Sequence, residues 1–370
     1  MFGAVGVHPE KRGKMQVLLY LITMSITINV ISLVILLPVF RGGQITMLDV
    51  TNALESGAIL THGVIKLSAL FYKRSNIHDL LTRMKNQFWK IEDIEDEELK
   101  SSHMHTLKSL KDRFHLFNIL CIITTFSFTC RTFILDGDFL AFDSYRPEWI
   151  SFYLLLLYES LVFVVGIYFP VLGTDMFMMS LLTLTQAQFK LLNHEIKKIF
   201  NAQTKMEEDM EIVNKRIRKY VDQHNFLLDY VNRINDTFCE VLLVYLAIII
   251  LSMCVELYII TTQNSLRASI KAISYISAGM FQYIICYCSP AQALSDEADE
   301  ITNRTYFSKW NEHTTQSVKT ATLMILGRSQ KKVLITAGGF IKIDLETCLK
   351  TLKTMVSYSM FLRTMGNTEK

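Results

Sequence analysis

Residues 16–40, QVLLYLITMSITINVISLVILLPVF, form an apolar run that contains no charged side chain. A helix needs about 20 apolar residues to cross the hydrocarbon core of a bilayer, so this run is long enough to span it. The run is too long for the apolar region of a signal peptide, and no small-residue cleavage site follows it. We therefore predict an uncleaved first transmembrane helix.

The composition of the whole chain is that of a membrane protein. Of the 370 residues, 50% are apolar and 20% are charged, and the mean hydropathy is +0.26. Soluble domains carry about 25% charged residues. The formal net charge of +3 is too small to indicate binding to nucleic acid. We expect an integral membrane protein that contacts lipid and does not bind nucleic acid.

Six further segments complete a predicted set of seven spans. Four are strongly apolar, namely residues 114–135, 149–174, 241–255 and 272–295, whereas residues 52–72 and 336–362 include ionisable side chains. Such side chains normally face a bundle interior or an aqueous cavity when they lie in a membrane. In the last segment, positions 342, 346, 350 and 353 fall on one helical face, and a surface amphipathic helix is the alternative. Its apolar end, residues 355–362, favours insertion.

The distribution of positive charge predicts the orientation of these spans. With a cytoplasmic N-terminus, the cytoplasmic segments hold 27 of the 38 Lys and Arg residues, and the extracellular segments hold 5. We predict an all-α membrane protein with seven transmembrane helices, a cytoplasmic N-terminus and an extracellular C-terminus. This orientation is opposite to that of G-protein-coupled receptors.

The long cytoplasmic segments show helical patterns, and the extracellular connections are short. Tyr306 and Trp310 are predicted to begin an amphipathic helix that runs to about Leu326. Its apolar side chains suggest a subunit-packing platform, although a solvated layer of helix ends is the alternative. The predicted organisation is a cytoplasmic N-terminus (1–15), six spans with helical extensions (16–294), a cytoplasmic anchor helix (295–332), and a seventh helix with a short extracellular tail (333–370).

Motifs for catalysis or cofactor binding are not found in the sequence. It contains no Gly-rich phosphate loop, no H-E-x-x-H and no G-x-S-x-G. We therefore expect neither an enzyme nor a bound cofactor or metal.

The most specific pattern lies near the C-terminus. It comprises SQKKVLITAGGF at residues 329–340, followed by LET at 345–347 and by the dipeptide Ser357-Tyr358. Tyr306-x-x-x-Trp310 and the string DMF at residues 175–177 fit the same pattern. Together these motifs resemble the signature of the insect odorant receptor family. The chain lacks the long cytoplasmic insertion that the family's co-receptor has before the fifth span, so it is similar to an odour-tuned subunit.

The resemblance implies a ligand-gated, non-selective cation channel in the plasma membrane of olfactory sensory neurons. In the family, such a subunit forms a heterotetramer with the co-receptor, and its seventh helix lines a central pore. The resemblance places Phe361 and Met365 at the constriction, Glu346 and Lys350 along the pore, and Tyr306 and Trp310 in the cytoplasmic anchor. The alternatives are a seven-helix receptor of the G-protein-coupled type, a gustatory-type chemoreceptor channel, or a transporter or structural membrane protein.

The resemblance also implies a pocket for a small volatile molecule in the outer half of the bundle, between the second, third, fourth and sixth spans. His62, Thr129 and Tyr275 are candidates for a hydrogen bond to the ligand, although polar side chains also join helices in membranes. The ligand contacts expected from the resemblance are Ile59, His62, Phe126, Thr129, Cys130, Phe133, Phe163, Ile167, Val171, Tyr275 and Met280.

Overall fold

The computed structural model describes residues 14–40, 47–90, 96–130, 133, 140–142, 144–201, 208–262, 266–308, 310 and 316–368, and these are almost entirely helical. The helices, in chain order, are α1 (Lys14–Phe40), α2 (Met47–Tyr72), α3 (Arg74–Gln87), α4 (Glu97–Thr129), α5 (Phe152–Val162), π1 (Phe163–Tyr168), α6 (Phe169–Asn201), α7 (Glu208–Thr262), α8 (Leu266–Phe281), π2 (Gln282–Cys288), α9 (Ser289–Tyr306), α10 (Gln316–Ser329) and α11 (Leu345–Thr368). Two short strands, β1 (Thr336–Ala337) and β2 (Ile341–Lys342), precede α11.

Two of the long helices contain a π-helical turn. The segment α5–π1–α6 is continuous from Phe152 to Asn201, and α8–π2–α9 is continuous from Leu266 to Tyr306. A π-helical turn inserts extra backbone into a helix and is often found at functional sites. The two turns therefore mark the part of the bundle where a site is most expected.

Three of the described helical segments are long and apolar enough to cross a membrane by length and composition. They are Lys14–Leu36, Phe152–Ile196 and Glu211–Thr262. The other four segments predicted to span fall on α2, α4, α8–π2–α9 and α11, in which polar or ionisable side chains reduce the hydropathy. Glu55 and Lys66 in α2 are examples, and both are buried inside the bundle.

The predicted start of the last helix was wrong. Residues 336–342 form a two-stranded antiparallel hairpin that pairs Thr336 with Lys342, so Lys342 does not share a helical face with Glu346. The turn contains Gly338 and Gly339 with φ of 62° and 79°, a conformation that favours glycine. A Cβ atom on Gly338 would also lie 2.8 Å from the Leu243 side chain. The helix therefore begins only at Leu345.

The helix predicted to begin at Tyr306 was also wrong. Tyr306 is the last residue of α9, Trp310 lies beyond that helix, and α10 begins at Gln316. The helical segment α8–π2–α9 continues up to Tyr306, the position at which the sequence pattern suggested a new helix. The hydroxyl groups of Thr302 and Ser329 are 2.9 Å apart and join α9 to α10.

A single continuous core connects the helices along the length of the bundle. Leu60 of α2, Leu182 of α6, Tyr230 of α7 and Ile301 of α9 are fully buried members of it. The core positions α2, α4, π1, α6 and α8 around one cavity.

Candidate ligand-binding cavity

A cavity of about 60 Å³ lies between α2, α4, π1–α6, α7 and α8–π2. Both π-helical turns contribute to its wall. Most of the lining is apolar or aromatic, as is typical of sites for small organic molecules. The lining residues are Ile59, His62, Phe117, Cys121, Thr124, Thr125, Phe163, Ile167, Tyr168, Val171, Ile249, Tyr275, Ala278, Gly279 and Gln282.

Two glycines allow the helices at one wall of the cavity to approach each other closely. A Cβ atom on Gly63 would lie 2.2 Å from the Gly166 carbonyl oxygen, and one on Gly166 would lie 2.5 Å from the Thr27 hydroxyl. The backbones of α1, α2 and π1 can therefore approach closely only because these positions lack side chains. Small residues have the same role at many helix contacts in membranes. The close approach places Gly63, which directly follows His62, against Ile167, and both His62 and Ile167 line the cavity.

An aromatic cluster packs against the cavity at the Phe163 side. The Phe163 ring stacks on Phe142 at 5.6 Å and lies 5.2 Å from Phe128, and all three side chains are buried. Phe142 belongs to the segment before α5. This segment therefore covers one side of the cavity.

The buried carboxylate of Glu159 holds this covering segment in place. It accepts hydrogen bonds from the Phe142 backbone N–H at 3.0 Å and from the Ser144 hydroxyl. The Ser56 hydroxyl donates to the Phe142 carbonyl at 2.8 Å. Contacts from α2 and α5 thus fix the aromatic cover.

Most polar donors in the cavity wall already have protein partners. The hydroxyl groups of Thr124 and Thr125 donate to backbone carbonyls of α4, and the Tyr168 hydroxyl donates to the Asn118 side chain at 2.7 Å. The Gln282 amide donates to Asp175. These groups contribute polarity to the wall, and the hydrogen atoms that they donate in these contacts are already bonded within the protein.

His62 differs from these residues. Its side chain is 7% exposed, and its Nε2 atom has no hydrogen-bond partner among the residues that the structure describes. The imidazole ring lies 5.3 Å from the Tyr245 ring. His62 Nε2 is therefore a buried polar atom of the cavity wall that is available to a ligand.

A buried ion pair lies next to the cavity. Lys66 and Asp175 are in direct contact and are 1% and 0% exposed, and the Tyr287 hydroxyl donates to the same carboxylate. The Lys66 ammonium also lies 4.8 Å from the centre of the Tyr245 ring. Because Gln282 contacts both the cavity and Asp175, the pair is connected to the cavity wall through π2.

A second buried ion pair lies on the Tyr275 side of the cavity. Lys271 of α8 is 2.7 Å from Glu55 of α2, and its ammonium lies 4.8 Å from the centre of the Phe128 ring. Glu256 of α7 is fully buried close to the same pair. This cluster joins α2, α7 and α8 beyond Tyr275.

Six of the residues expected to contact the ligand line the cavity, and five do not. Those that line it are Ile59, His62, Phe163, Ile167, Val171 and Tyr275. Phe126 and Phe133 are 54% and 70% exposed, and Thr129, Cys130 and Met280 are partly exposed away from the cavity. These five residues do not form part of its wall.

On α4, the difference between the expected contacts and the residues that line the cavity concerns the rotation of the helix. Phe117, Cys121 and Thr124 face the cavity, at spacings of four and three residues. Phe126 lies nine positions beyond Phe117, about 180° around the helix. Apolar side chains occur on every face of this stretch of α4, so the apolar pattern alone does not distinguish the inner face from the outer. The small polar side chains of Thr124 and Thr125 were the feature of the sequence that could have indicated the inner face.

The last helix, α11, contacts the rest of the chain along one narrow stripe. Cys348, Thr351, Met355 and Ser359 are buried, and the Tyr283 hydroxyl donates to the Thr351 hydroxyl at 3.2 Å. At 100° per residue, Glu346, Lys353 and Ser357 lie on the opposite face, within about 20° of one line. That face is exposed in the single chain.

The residues expected to line a pore lie on or near this exposed face. Glu346 and Lys350 form an ion pair at 2.6 Å on the surface, and Phe361 is 59% exposed. Met365 belongs to α11, but its side chain is outside the described part of the structure.

The residues expected to form an anchor lie around the end of α9. Tyr306 is 63% exposed, whereas Trp310 is partly buried against the core. Ile325, one of the apolar side chains of the predicted subunit-packing helix, is buried within its own chain. Apolar side chains that stay exposed nearby are Phe307, Leu323 and Met324.

Metal binding has no candidate among the described residues. In that part of the chain, no group of three or more His, Cys, Asp or Glu side chains is arranged to hold a metal ion.

Sequence comparison places this chain among known receptors. A family model described as 7tm odorant receptor matches residues 46–356. Odorant receptor 13a of Drosophila melanogaster is 26% identical over 197 residues, and odorant receptor 22c of the same organism is 26% identical over 182 residues. These alignments cover 50% and 48% of this chain and 46% and 44% of the relatives, so the chain spans about half the length of the curated relatives it matches.

Structural comparison agrees over nearly the whole chain. Two structures of the insect olfactory receptor OR5 from Machilis hrabei match with TM-scores of 0.82 and 0.79, each at 14% sequence identity. They cover 97% and 98% of this chain and 94% and 95% of theirs. The second of these structures is a complex with eugenol. At this identity the likeness establishes a shared fold.

Proposed function

This chain belongs to the 7tm odorant receptor family, and we propose that it is an odour-tuned subunit of a ligand-gated, non-selective cation channel. A member of this family is a membrane receptor rather than an enzyme. The observation that carries the proposal is the cavity, whose wall includes Gln282 of the π2 turn, and this turn packs on α11.

The proposed ligand is a small volatile organic molecule. The cavity wall combines aromatic and aliphatic side chains with few polar atoms, which suits such a molecule. The OR5 receptor with the same fold has been solved with eugenol, which supports a ligand of this kind. Ile59, Phe163, Ile167, Val171 and Tyr275 are the proposed apolar contacts.

The proposed topology has seven spans with a cytoplasmic N-terminus. The excess of Lys and Arg in the segments between spans supports this orientation. The ionisable side chains of α2, α8 and α11 would then lie at membrane depth. Those of α2 and α8 are buried in ion pairs, as expected for charged groups inside a bilayer.

In the proposed channel, α11 lines the conduction pathway. Its Glu346–Lys350–Ser357 face points away from the chain's own bundle, where an aqueous pore between subunits would lie. Phe361 and Met365 would form the constriction. A ring of apolar side chains can close a pore by expelling water, and its outward movement admits hydrated cations.

The proposed partner is the odorant co-receptor, in a heterotetramer at the plasma membrane of olfactory sensory neurons. A single chain leaves Val356, Met360 and Phe361 of α11 exposed, together with Phe307, Leu323 and Met324 near α10. Apolar surfaces of this kind commonly mark contacts with partner chains. The second group, with Tyr306 and Trp310, is the proposed cytoplasmic anchor (295–332).

Gating follows from a difference in ligand affinity between two channel states. A ligand that binds the open arrangement more tightly than the closed one shifts the population toward the open state. In this chain, the difference in ligand affinity would arise from contacts at the cavity wall, and the change in structure would reach α11 through π2. Tight binding alone would open nothing.

Patch recording tests the proposed function. The chain is expressed alone and together with the co-receptor, and a panel of volatile molecules is applied to excised patches without cytosolic nucleotide. We expect odour-evoked cation current in the co-expressing cells. A current that requires guanine nucleotide would indicate a G-protein-coupled receptor. Ligand-independent flux, or no current from a complex present at the surface, would indicate a transporter or a structural protein.

A further inference from the structure

We propose that the cavity selects volatile molecules that carry a hydroxyl group, and that His62 is the residue that recognises this group. The inference rests on the proposed function, because it assumes that the cavity is the ligand site. It adds the chemical class of the ligand and names the residue that determines it.

The first step is the position of the His62 imidazole. His62 lines the cavity from α2 and is 7% exposed, with the Tyr245 ring on one side at 5.3 Å. Among the described residues that line the cavity, its Nε2 is the one fully buried side-chain nitrogen or oxygen without a hydrogen-bond partner. Buried polar groups in folded proteins are nearly always hydrogen-bonded, so this exception requires an explanation.

The second step is that three other polar groups of the cavity wall already form hydrogen bonds within the protein. The Thr125 hydroxyl donates to the Cys121 carbonyl at 2.7 Å, and the Tyr168 hydroxyl donates to Asn118 at 2.7 Å. The Gln282 amide donates to the buried Asp175 carboxylate. A ligand would have to break a hydrogen bond to receive one of these hydrogen atoms. His62 can bind without such a loss.

The third step is the chemistry of the imidazole. In one neutral tautomer Nε2 accepts a hydrogen bond, and in the other tautomer or the protonated form it donates one. A hydroxyl group both donates and accepts, so it can pair with His62 in every form. A ketone, ester or ether only accepts, and an alkane does neither. Alcohols and phenols are therefore the class that the site favours.

The fourth step is the surface around His62. The rings of Phe117, Phe163 and Tyr275 form much of the wall, and Ile59 and Ile167 complete the apolar surface near His62. These side chains suit a compact carbon skeleton. The selected ligand is thus a small alcohol or phenol with one polar end.

Matched ligand pairs test the inference. Benzyl alcohol with ethylbenzene, 1-hexanol with heptane, and phenol with toluene differ mainly in replacing a hydroxyl by a methyl group. Concentration–response curves are recorded from cells that co-express the chain and the co-receptor. A hydrogen bond contributes about tenfold in affinity, so we expect the hydroxyl member of each responding pair to act at about tenfold lower concentration.

Three variants assign the preference to His62. His62→Phe keeps an aromatic ring but removes the polar atom, so it should reduce the tenfold preference to about onefold. His62→Gln keeps a donor and an acceptor and should restore part of the preference. His78→Phe is the matched control, because it makes the same substitution at an exposed histidine of α3, outside the cavity, and it should leave the preference near tenfold.

Two outcomes would overturn the inference while the proposed function stands. One is equal potency within the pairs. The other is a hydroxyl preference that His62→Phe does not change, as expected if His62 Nε2 pairs with water or with the Tyr245 hydroxyl instead. If no compound of any polarity evokes current from a complex present at the surface, the proposed function fails, and the inference fails with it.

Discussion

The Tyr283 hydroxyl donates a hydrogen bond to the Thr351 hydroxyl at 3.2 Å, in a buried contact between π2 and α11. Tyr283 directly follows Gln282, which lines the cavity. Thr351 lies on the buried stripe of α11, opposite the face proposed to line the pore. One hydrogen bond thus joins the wall of the candidate ligand site to the candidate pore helix.

Removal of this hydrogen bond should weaken the coupling between ligand and gate. Tyr283→Phe keeps the ring and deletes the hydroxyl group, which costs about 1 kcal/mol for a hydrogen bond. We expect about a fivefold increase in the half-maximal odorant concentration, measured in concentration–response recordings. Thr351→Val should have a similar effect.

The double variant and a surface tyrosine serve as controls for this coupling. Tyr283→Phe combined with Thr351→Val should be no worse than either single change, because both remove the same contact. Tyr153→Phe alters a tyrosine that is 69% exposed on α5 and should leave the response unchanged. Additive effects in the double variant would contradict a direct role for this hydrogen bond.

The Lys66–Asp175 pair should stabilise the bundle only while both partners are present. Asp175→Asn leaves the Lys66 charge buried without its partner, which typically costs about 3–5 kcal/mol. We expect a marked loss of surface expression and a lower melting temperature of the purified complex. The double variant Lys66→Met and Asp175→Leu should recover part of the loss.

An exposed ion pair provides the matched comparison. Asp229→Asn removes a carboxylate that pairs with Arg233 on the surface, and exposed pairs contribute little. Its melting temperature should stay near that of the unmodified chain. An equal decrease in melting temperature for Asp175→Asn and Asp229→Asn would show that the buried pair contributes no more to stability than the exposed pair.

The sequence predicted the helical membrane fold because the length of an apolar run depends only on neighbouring residues in the sequence. The run at residues 16–40 is free of charge, and the structure places α1 over Lys14–Phe40. Helix ends depend on tertiary contacts instead. The start of α11 follows from the turn at Gly338, which packs against Leu243 of a distant helix. The end of α9 at Tyr306 was predicted as the start of a helix, because this helix end also depends on tertiary contacts.

The lining residues of the cavity were predictable from the sequence only where a polar side chain occurs within an apolar segment. His62 and Tyr275 are polar side chains in apolar segments, and both line the wall. Phe126 and Phe117 are equivalent in composition, yet only Phe117 faces inward. The choice between them depends on the rotation of α4, which its neighbours α6 and α8 determine.

His224 should make the stability of the complex depend on pH. It lies in the N-terminal part of α7, outside the proposed spans, and is 3% exposed. Burial and the nearby Arg328 lower the pKa of His224 from 6.5 to about 4. Above pH 6.5 the residue is neutral in both the folded and the unfolded chain. As the pH falls from 6.5 to 4, the unfolded chain takes up the proton first, so about 3 kcal/mol of stability is lost.

A comparison of variants isolates this contribution. The melting temperature of the purified complex is measured between pH 7.5 and pH 4.5, where His224→Phe should show a smaller decrease than the unmodified chain. His78→Phe replaces an exposed histidine of α3 and should follow the unmodified profile. Identical profiles for His224→Phe and the unmodified chain would contradict the prediction.

Phe361 should contribute to the closed gate. Phe361→Ala removes most of an exposed aromatic side chain from the proposed constriction, so water enters it more readily. We expect a severalfold increase in ligand-free current, measured in cells that also express the co-receptor. Phe340→Ala, in the hairpin before α11, removes an aromatic ring that is 72% exposed, compared with 59% for Phe361, and should leave ligand-free current unchanged. Unaltered current and ion permeability in Phe361→Ala would place this residue outside the conduction pathway.

Two serines on opposite faces of α11 test the central claim most directly. Ser357 lies on the exposed face, whereas Ser359 is 5% exposed and points toward the chain's own bundle. Ser357→Cys and Ser359→Cys channels are treated during odorant application with a charged, thiol-reactive methanethiosulfonate reagent. We predict irreversible block of the current at Ser357→Cys, with Ser359→Cys and the unmodified channel unaffected. Block at Ser359→Cys but not at Ser357→Cys would contradict the assignment of this face of α11 to an aqueous pore.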